Sequence, residues 1–404
     1  MQGLRSKLRP FGIPVERLNE GFPILRPNGN WWESGVTFNP AAVFLNRSAT
    51  NDPIITKLLR DIPLSDPRVR DGVVAVHYRA RPLNDPHCKW NRSFIGLAVY
   101  TPTLELLVRW EEPVFLPNED PNSPDHLGVE DPRITWIDDR FYMVYCGVAK
   151  RPRTDAPAGE LDFFVEGYLC LAESDDLIHW NRLGTPPGNL QVVHNKDGVL
   201  FPDEFDGYYW MLHRPVDPEN ERIKAIQLAR SRSLRGPWEE CGVILSATPN
   251  PFVRKTWVGA GSVPIKLDDR GRYLVIYHTG NWLDGRDREY DVDAAIFDLG
   301  RWSRSYPGAV VESRIDRLMV PESEHELAAP VADSVGNVLF PCGSYEYHGD
   351  LYIVYGAADT YVLAAKVQKQ DLIRALNEIK QSKQPSGRIE VTVTLPPTPA
   401  GVDR

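Results

Sequence analysis

The sequence predicts an all-β chain: a five-bladed β-propeller with a C-terminal helix and strand extension. Two observations carry that prediction. Thirty-five prolines and thirty glycines punctuate many short aromatic runs, as strands and turns do and helices do not. One pattern then recurs five times, a polar turn followed by a Tyr-rich or Val-rich strand ending in small or polar residues. The copies read DGVVAVHYRAR from Asp71, DDRFYMVYCGV from Asp138, FDGYYWMLHRP from Phe205, RGRYLVIYHTG from Arg270 and HGDLYIVYGAAD from His348. Aligned on His77, Tyr145, Leu212, Tyr277 and Tyr355, they lie 68, 67, 65 and 78 residues apart.

Each copy sits between two further apolar runs, which gives three or four short antiparallel strands per unit and hence a propeller blade. The preceding runs are NPAAVFL, EDPRITWI, DGVLFP, GAGSVPIKL and NVLFPCGSY. The following runs are FIGLAVYT, GYLCLAES, IQLARS, DAAIFD and YVLAAKV. Five such units occupy residues 31–365, with 1–30 expected to pack on the outside or complete a blade. Residues 366–404 change character. Leu372, Ile373, Leu376 and Ile379 share one face of a helix, and Ile389, Val391, Val393 and Leu395 alternate as in a half-buried strand. Such a tail either latches the propeller or docks on a neighbouring subunit, so a homo-oligomer is one expectation.

Composition removes several function classes. A net charge of −9 and a pI near 5.6 argue against a nucleic-acid partner or an acidic membrane surface. No run of about 18 apolar residues exists to span a membrane. The first twenty residues lack the apolar core of a secretory signal. Five scattered cysteines without zinc-site spacing read as reduced thiols, which places the chain in a cytoplasm. There is no Gly-x-Ser-x-Gly elbow, Walker loop or His-Glu-x-x-His motif, and KLDDRGRY reads as a hairpin turn rather than a calcium loop.

A propeller converts a repeat alignment into a site. Equivalent positions of the blades meet at one rim although they lie far apart in the chain. The starts of the inner strands contribute Asn39, Glu130, Asp131, Lys196 and Asp197. The ends of the second strands contribute Arg79, Arg81, His213, Arg214, His278 and Asp359. A few carboxylates among several cations suit a sugar with an anion better than a metal. Each residue also has a plainer role open to it. Asp131 before Pro132 can accept turn N–H bonds, Arg133 can be the ion-pair partner of Glu130, and His213 can be a satisfied core histidine. Lys196, Arg214 and His278 can be rim charges or structural pairs. Trp31, Trp32 and Trp282 can be core or sugar-stacking platforms.

Taken in order, FNPAAVFL, RSFIGLAVYT, GVEDPRIT, NKDGVLFP, LHRP, GAGSVPIK, IYHTG and NVLFPCG…YGAADT resemble glycoside hydrolase family 130. The resemblance runs from about Trp31 to Ala365. It implies a five-bladed propeller acting on β-mannosides, mostly as a phosphorylase. By that resemblance Asp131 is the sole catalytic acid, protonating the leaving oxygen through the mannose 3-hydroxyl. Asn39, Arg92 and Asp359 are implied to bind the sugar, and Lys196, Arg214 and His278 to hold inorganic phosphate; Glu130, from the same rim as Asp131, is expected to bind the sugar as well. No metal or organic cofactor is implied; phosphate is a co-substrate. A phosphorylase replaces the base and water of an inverting hydrolase with phosphate, and so needs a cationic cradle instead of a second carboxylate. Hydrolytic members are implied to carry glutamates where this chain has Lys, Arg and His, so a β-mannosidase is the main alternative, with a non-catalytic sugar-binding propeller behind it. The stretch RPRTDAPAGELDFFVEG, with Glu160 and Glu166, departs from the pattern, as does the tail after Lys366. Both leave the acceptor sugar and the linkage open.

Overall fold

In the computed structural model, residues 11–88, 90–152, 163–216, 224–283, 288–332 and 334–381 are described. Five antiparallel sheets follow one another around a ring. Blade 1 comprises Val36–Leu45, Val73–Arg81, Phe94–Tyr100 and Leu106–Arg109. Blade 2 comprises Gly128–Ile137, Arg140–Pro152, Phe163–Ser174 and Asn181–Gly184. Blade 3 comprises Asn195–Leu200, Tyr209–Pro215, Ile226–Ser231 and Glu239–Leu245. Blade 4 comprises Lys255–Ala260, Arg272–Trp282, Arg288–Asp298 and Val311–Met319, with Ile265–Lys266 as a short addition. Blade 5 takes Leu339–Tyr347, Asp350–Ala357 and Tyr361–Gln368 from the end of the propeller, and its fourth strand, Glu16–Arg17, from the N-terminus. The N-terminal segment therefore completes a blade and closes the ring, with Glu16 opposite Lys366 and Arg17 opposite Ala365.

The second strands read as continuous apolar runs because each blade is covered on both faces. Successive side chains of a strand point to opposite faces. In blade 1, Val73 and Ala75 pack against blade 2, whereas Val74 and Val76 pack against blade 5. In blade 4, Tyr273, Val275 and Tyr277 face blade 3, and Leu274 and Ile276 face blade 5. Met143 and Tyr145 of blade 2 face blade 1 while Val144 faces blade 3. One apolar cluster thus fills each seam of the ring. Every side chain of this size contributes about 1.5–3 kcal/mol on burial, so closure of the ring is what stabilises the individual four-stranded sheets.

The helix Lys369–Gln381 lies where the periodicity of the sequence puts one. Leu372 and Leu376 are fully buried against blades 4 and 5, with Ile373 and Ile379 packed beside them. Lys380 and Arg272 both reach Glu312 of blade 4, at 2.8 and 2.7 Å. The helix therefore latches two adjacent blades. The expected strand at Ile389–Leu395 and the insertion residue Glu160 lie outside the described residues. Cys88, Cys146, Cys170, Cys241 and Cys342 are all free thiols. No helix among the described residues is long and apolar enough to cross a membrane.

Candidate active site

Three inner strands share one local device. The ladder shifts register between Phe38 and Ala41, between Glu130 and Arg133, and between Lys196 and Val199. At the centre of each shift one residue takes a positive φ: Asn39 at 45°, Asp131 at 51° and Asp197 at 55°. Asn and Asp are the side-chain-bearing residues that tolerate this region best, and a bulge re-aims the side chain it carries. FNP, EDP and KDG are thus the same turn written three times, and each brings a polar side chain to the axis. Close approach does the rest. A Cβ on Gly259 would lie 2.2 Å from Asp197 Oδ2, and one on Gly356 would lie 2.1 Å from Asn39 Oδ1.

These residues border a cavity of about 190 Å³. Its lining includes Asn39, Asp131, Lys196, Asp197, Arg214 and Asp359, together with Phe38, Arg79, Arg81, Arg288, Tyr290 and Phe340. Asp131 is held by two neighbours. Its Oδ1 accepts from Asn39 Nδ2 at 2.8 Å and from Arg79 Nη1 at 3.2 Å. Arg79 is held in turn by Glu130, whose Oε1 accepts from Nη2 at 2.6 Å, and by Ser93 Oγ at 3.0 Å. Lys196 reaches in with Nζ 3.9 Å from Glu130 Oε2.

Asp197, which also lines the cavity, is a counter-ion. Arg214 Nε donates to its Oδ2 at 2.6 Å, and Arg133 Nη2 lies 3.4 Å from its Oδ1. Arg133 is buried; Nη1 donates to the Asp131 carbonyl at 3.0 Å, and Nε and Nη2 donate to the carbonyls of Gly261 and Ala260 at 3.1 Å each. The ion pair expected between Arg133 and Glu130 is therefore not formed. Arg79 takes that carboxylate, because the bulge at Asp131 turns Arg133 away from it toward blades 3 and 4.

Protonation follows from this charge map. Burial alone would raise Asp131, but Arg79, Arg133, Lys196 and the Asn39 hydrogen bond outweigh it and hold the carboxyl below its usual range. Burial is likewise overcome at Asp197 by the Arg214 and Arg133 guanidiniums, so it too stays ionised. Asp359 goes the other way. Burial pushes it up to about 6 against Arg79, with the Asp131 charge assisting burial and Arg288 and Arg81 opposing.

Three expected site residues do not reach the cavity wall. Glu130 is only 6% exposed and is engaged by Arg79. Arg92 forms a two-point pair with Asp85, at 2.6 and 3.1 Å, and lies near Phe94. His278 is fully buried behind Asp197, its Nε2 3.6 Å from Oδ2, and burial brings it down to about 3, so it is neutral. His213 is also fully buried, its Nδ1 accepting from Asn195 Nδ2 at 2.9 Å, the core role. Trp32 is core, Trp31 is 44% exposed, and Arg288 covers the Trp282 ring at 4.9 Å. Glu166 is occupied by Arg151 at 2.6 Å and Tyr168 at 3.0 Å. Sequence reasoning singled out Arg79 and Arg81 for the rim but missed Arg288, Tyr290 and Phe340. Arg288 and Tyr290 open the third strand of blade 4, a position the repeat alignment did not follow; Phe340 lies in the inner strand of blade 5 and reads as core.

A propeller whose cavity gathers Asp131, Asp197 and Asp359 among lysine and arginine side chains suits a sugar-active enzyme. The comparisons with known proteins agree. A family model described as beta-1,4-mannooligosaccharide phosphorylase matches residues 87–378, and the chain belongs to glycoside hydrolase family 130. It is 30% identical over 364 residues to a 1,2-beta-oligomannan phosphorylase of Thermoanaerobacter sp. (strain X514), covering 89% of this chain and 99% of that protein. It is 27% identical to a beta-1,4-mannooligosaccharide phosphorylase of Ruminococcus albus, over 60% of this chain and 63% of that one. The fold matches the beta-1,2-mannobiose phosphorylase of Listeria innocua in complex with beta-1,2-mannobiose. The TM-score there is 0.64 at 20% identity, over 91% of this chain and 100% of the other.

Proposed function

We propose that this enzyme carries out inverting phosphorolysis of β-mannosides, β-1,2-linked ones foremost, giving α-mannose 1-phosphate and a shortened sugar. The carrying observation is the cavity that Asp131 shares with Lys196 and Arg214, which Arg79, Arg81 and Arg288 also line. A phosphate oxygen attacks the anomeric carbon as the glycosidic C–O bond breaks. The leaving oxygen takes a proton from Asp131 by way of the mannose 3-hydroxyl, and the phosphate monoester later gives up its own proton, which balances the cycle. Asn39 and Asp359 hold the mannose ring; Lys196 and Arg214 hold phosphate as charge-assisted donors. Arg133 and His278 stand one layer behind, and Asp197 fixes the Arg214 guanidinium through Nε. The β-1,2 preference rests on the 1,2-beta-oligomannan phosphorylase being matched along nearly its whole length.

Hydrolysis is the second reading, and Asp359 is the observation that favours it. A carboxyl raised to about 6 in the same cavity could serve as a base for water. Asp197 could not, because an ionised carboxylate held by two guanidiniums is too weak a base. A panel of β-1,2- and β-1,4-mannosides with and without phosphate separates the readings. Phosphate-dependent release of mannose 1-phosphate is expected; free mannose released equally without phosphate overturns it. The free thiols support a cytoplasmic setting.

A further inference from the structure

If Asp131 is the acid of a phosphorylase, and the inference rests on that reading, its surroundings pose a problem. A general acid must arrive protonated, yet the protein's own groups keep this one charged. Arg79 Nη1 lies 3.2 Å from its carboxyl, Arg133 grips its main-chain oxygen, and Lys196 and Arg214 enter from blade 3. Arg81 and Arg288 border the same cavity from blades 1 and 4. The opposing anions are largely spent: Glu130 on Arg79, and Asp197 on Arg214 and Arg133. Asp359 of blade 5 is raised to about 6, His278 of blade 4 is neutral, and burial keeps the Cys146 and Cys342 thiols neutral.

We propose that the phosphate co-substrate arms the acid: a dianion seated against Lys196 and Arg214 offsets the cations around Asp131, which takes up its proton together with the anion. Negative charge beside a carboxyl disfavours its ionised form, so a dianion in the cavity that Asp131 shares with these cations raises the Asp131 carboxyl from its lowered range. Phosphate and proton then enter as one thermodynamic unit before the mannoside is cleaved. Water brings no charge, so without phosphate the enzyme lacks its acid as well as its nucleophile. The same cations that bind the nucleophile thereby suppress hydrolysis.

Sulfate tests this, because it is a dianion that does not itself titrate near neutral pH. Titration calorimetry of the full chain with sulfate, in two buffers of different ionisation heat, reads the protons taken up on binding. Asp359 borders the same cavity and would also take up a proton beside a dianion, so the uptake is read in Asp359→Asn. The expected result there is net proton uptake on sulfate binding, with affinity falling as pH rises. Adding Asp131→Asn should leave sulfate bound at least as tightly and remove the uptake. The pH dependence of affinity in Asp359→Asn alone stands even if the double variant fails to fold. Absence of sulfate binding, binding to Asp359→Asn without proton uptake, or uptake that survives the further Asp131→Asn change overturns the proposal. Phosphate-independent mannose release in the turnover assay would instead overturn the phosphorylase reading, so the two failures are told apart.

Discussion

The axial cavity and the acidic cluster of blade 4 are both buried assemblies of charge, yet they treat protons in opposite ways. In the cavity, Arg79, Arg133, Lys196 and Arg214 surround Asp131 and Asp197 and hold both carboxyls below their usual range. In blade 4, Glu289, Asp291, Asp293 and Asp316 crowd around Arg317. Arg317 Nη1 spans Glu289 at 2.9 Å and Asp291 at 2.5 Å, while Asp293 accepts from Thr279 Oγ1 and the Arg317 N–H. Burial, with Asp316 adding to it, pushes Asp293 up to about 8, and Asp291 rises well above its ordinary value. One Asp291 oxygen has no hydrogen-bond partner among the described residues, which a neutral carboxyl tolerates and a carboxylate does not. The cavity beside this cluster is about 30 Å³, against about 190 Å³ on the axis. Burial is common to both. The sign of the surplus charge decides which cluster keeps its protons, and only the cationic one is open enough to receive an anion.

The largest break in this comparison is Asp131→Asn. It should lower turnover by about 10²–10⁴-fold and leave the circular-dichroism spectrum unchanged. Activity within tenfold of wild type would remove Asp131 from the acid role. Next comes Lys196→Ala, since Lys196 is the most exposed cation that approaches Glu130, its side chain 41% accessible. Its loss should raise the apparent KM for phosphate roughly ten- to a hundredfold, the worth of one charge-assisted contact of about 1.5–3 kcal/mol. The KM for mannoside should move far less; equal effects on both would count against a phosphate seat.

The acidic cluster is sharpened by pH. Asp293 is raised in the folded chain, so the folded state binds more protons than the unfolded one between about pH 4 and 8. The stability it lends is full below its unfolded value and is lost as pH rises through about 8. Asp293→Asn keeps a neutral group there and should stabilise by about 1 kcal/mol or more at pH 8 relative to pH 5. Melting curves at the two pH values read this, and an unchanged difference would show that Asp293 is ionised in both states. Lys380→Ala is the smallest change. Its pair with Glu312 is half exposed at the lysine end, so a shift within about 0.5 kcal/mol and an unaltered pH profile are expected.

Much of the fold could be read from the chain because propeller blades repeat. Alternation covered on both faces produces continuous apolar runs, and Asp71, Asp138, Phe205, Arg270 and His348 each open one copy. The amphipathic helix at Leu372 and Leu376 was legible for the same local reason. The site was legible where a motif encodes backbone geometry, as FNP, EDP and KDG do. It was not legible where pairing depends on direction. Arg92 meets Asp85 seven residues away, and nothing in the spacing distinguishes that from a sugar contact.

The sequence alone determined which inner-strand residues of the first three blades stand at the rim, because period and local turn chemistry place Asn39, Asp131 and Asp197 at equivalent bulges. Tertiary structure alone decided what those residues are electrically. Whether His278 is a cation or a neutral ring, and whether Glu130 is held by Arg79 or Arg133, depends on desolvation and on distances between blades. Electrostatic free energy varies with separation and surrounding dielectric, and neither quantity is written along the chain.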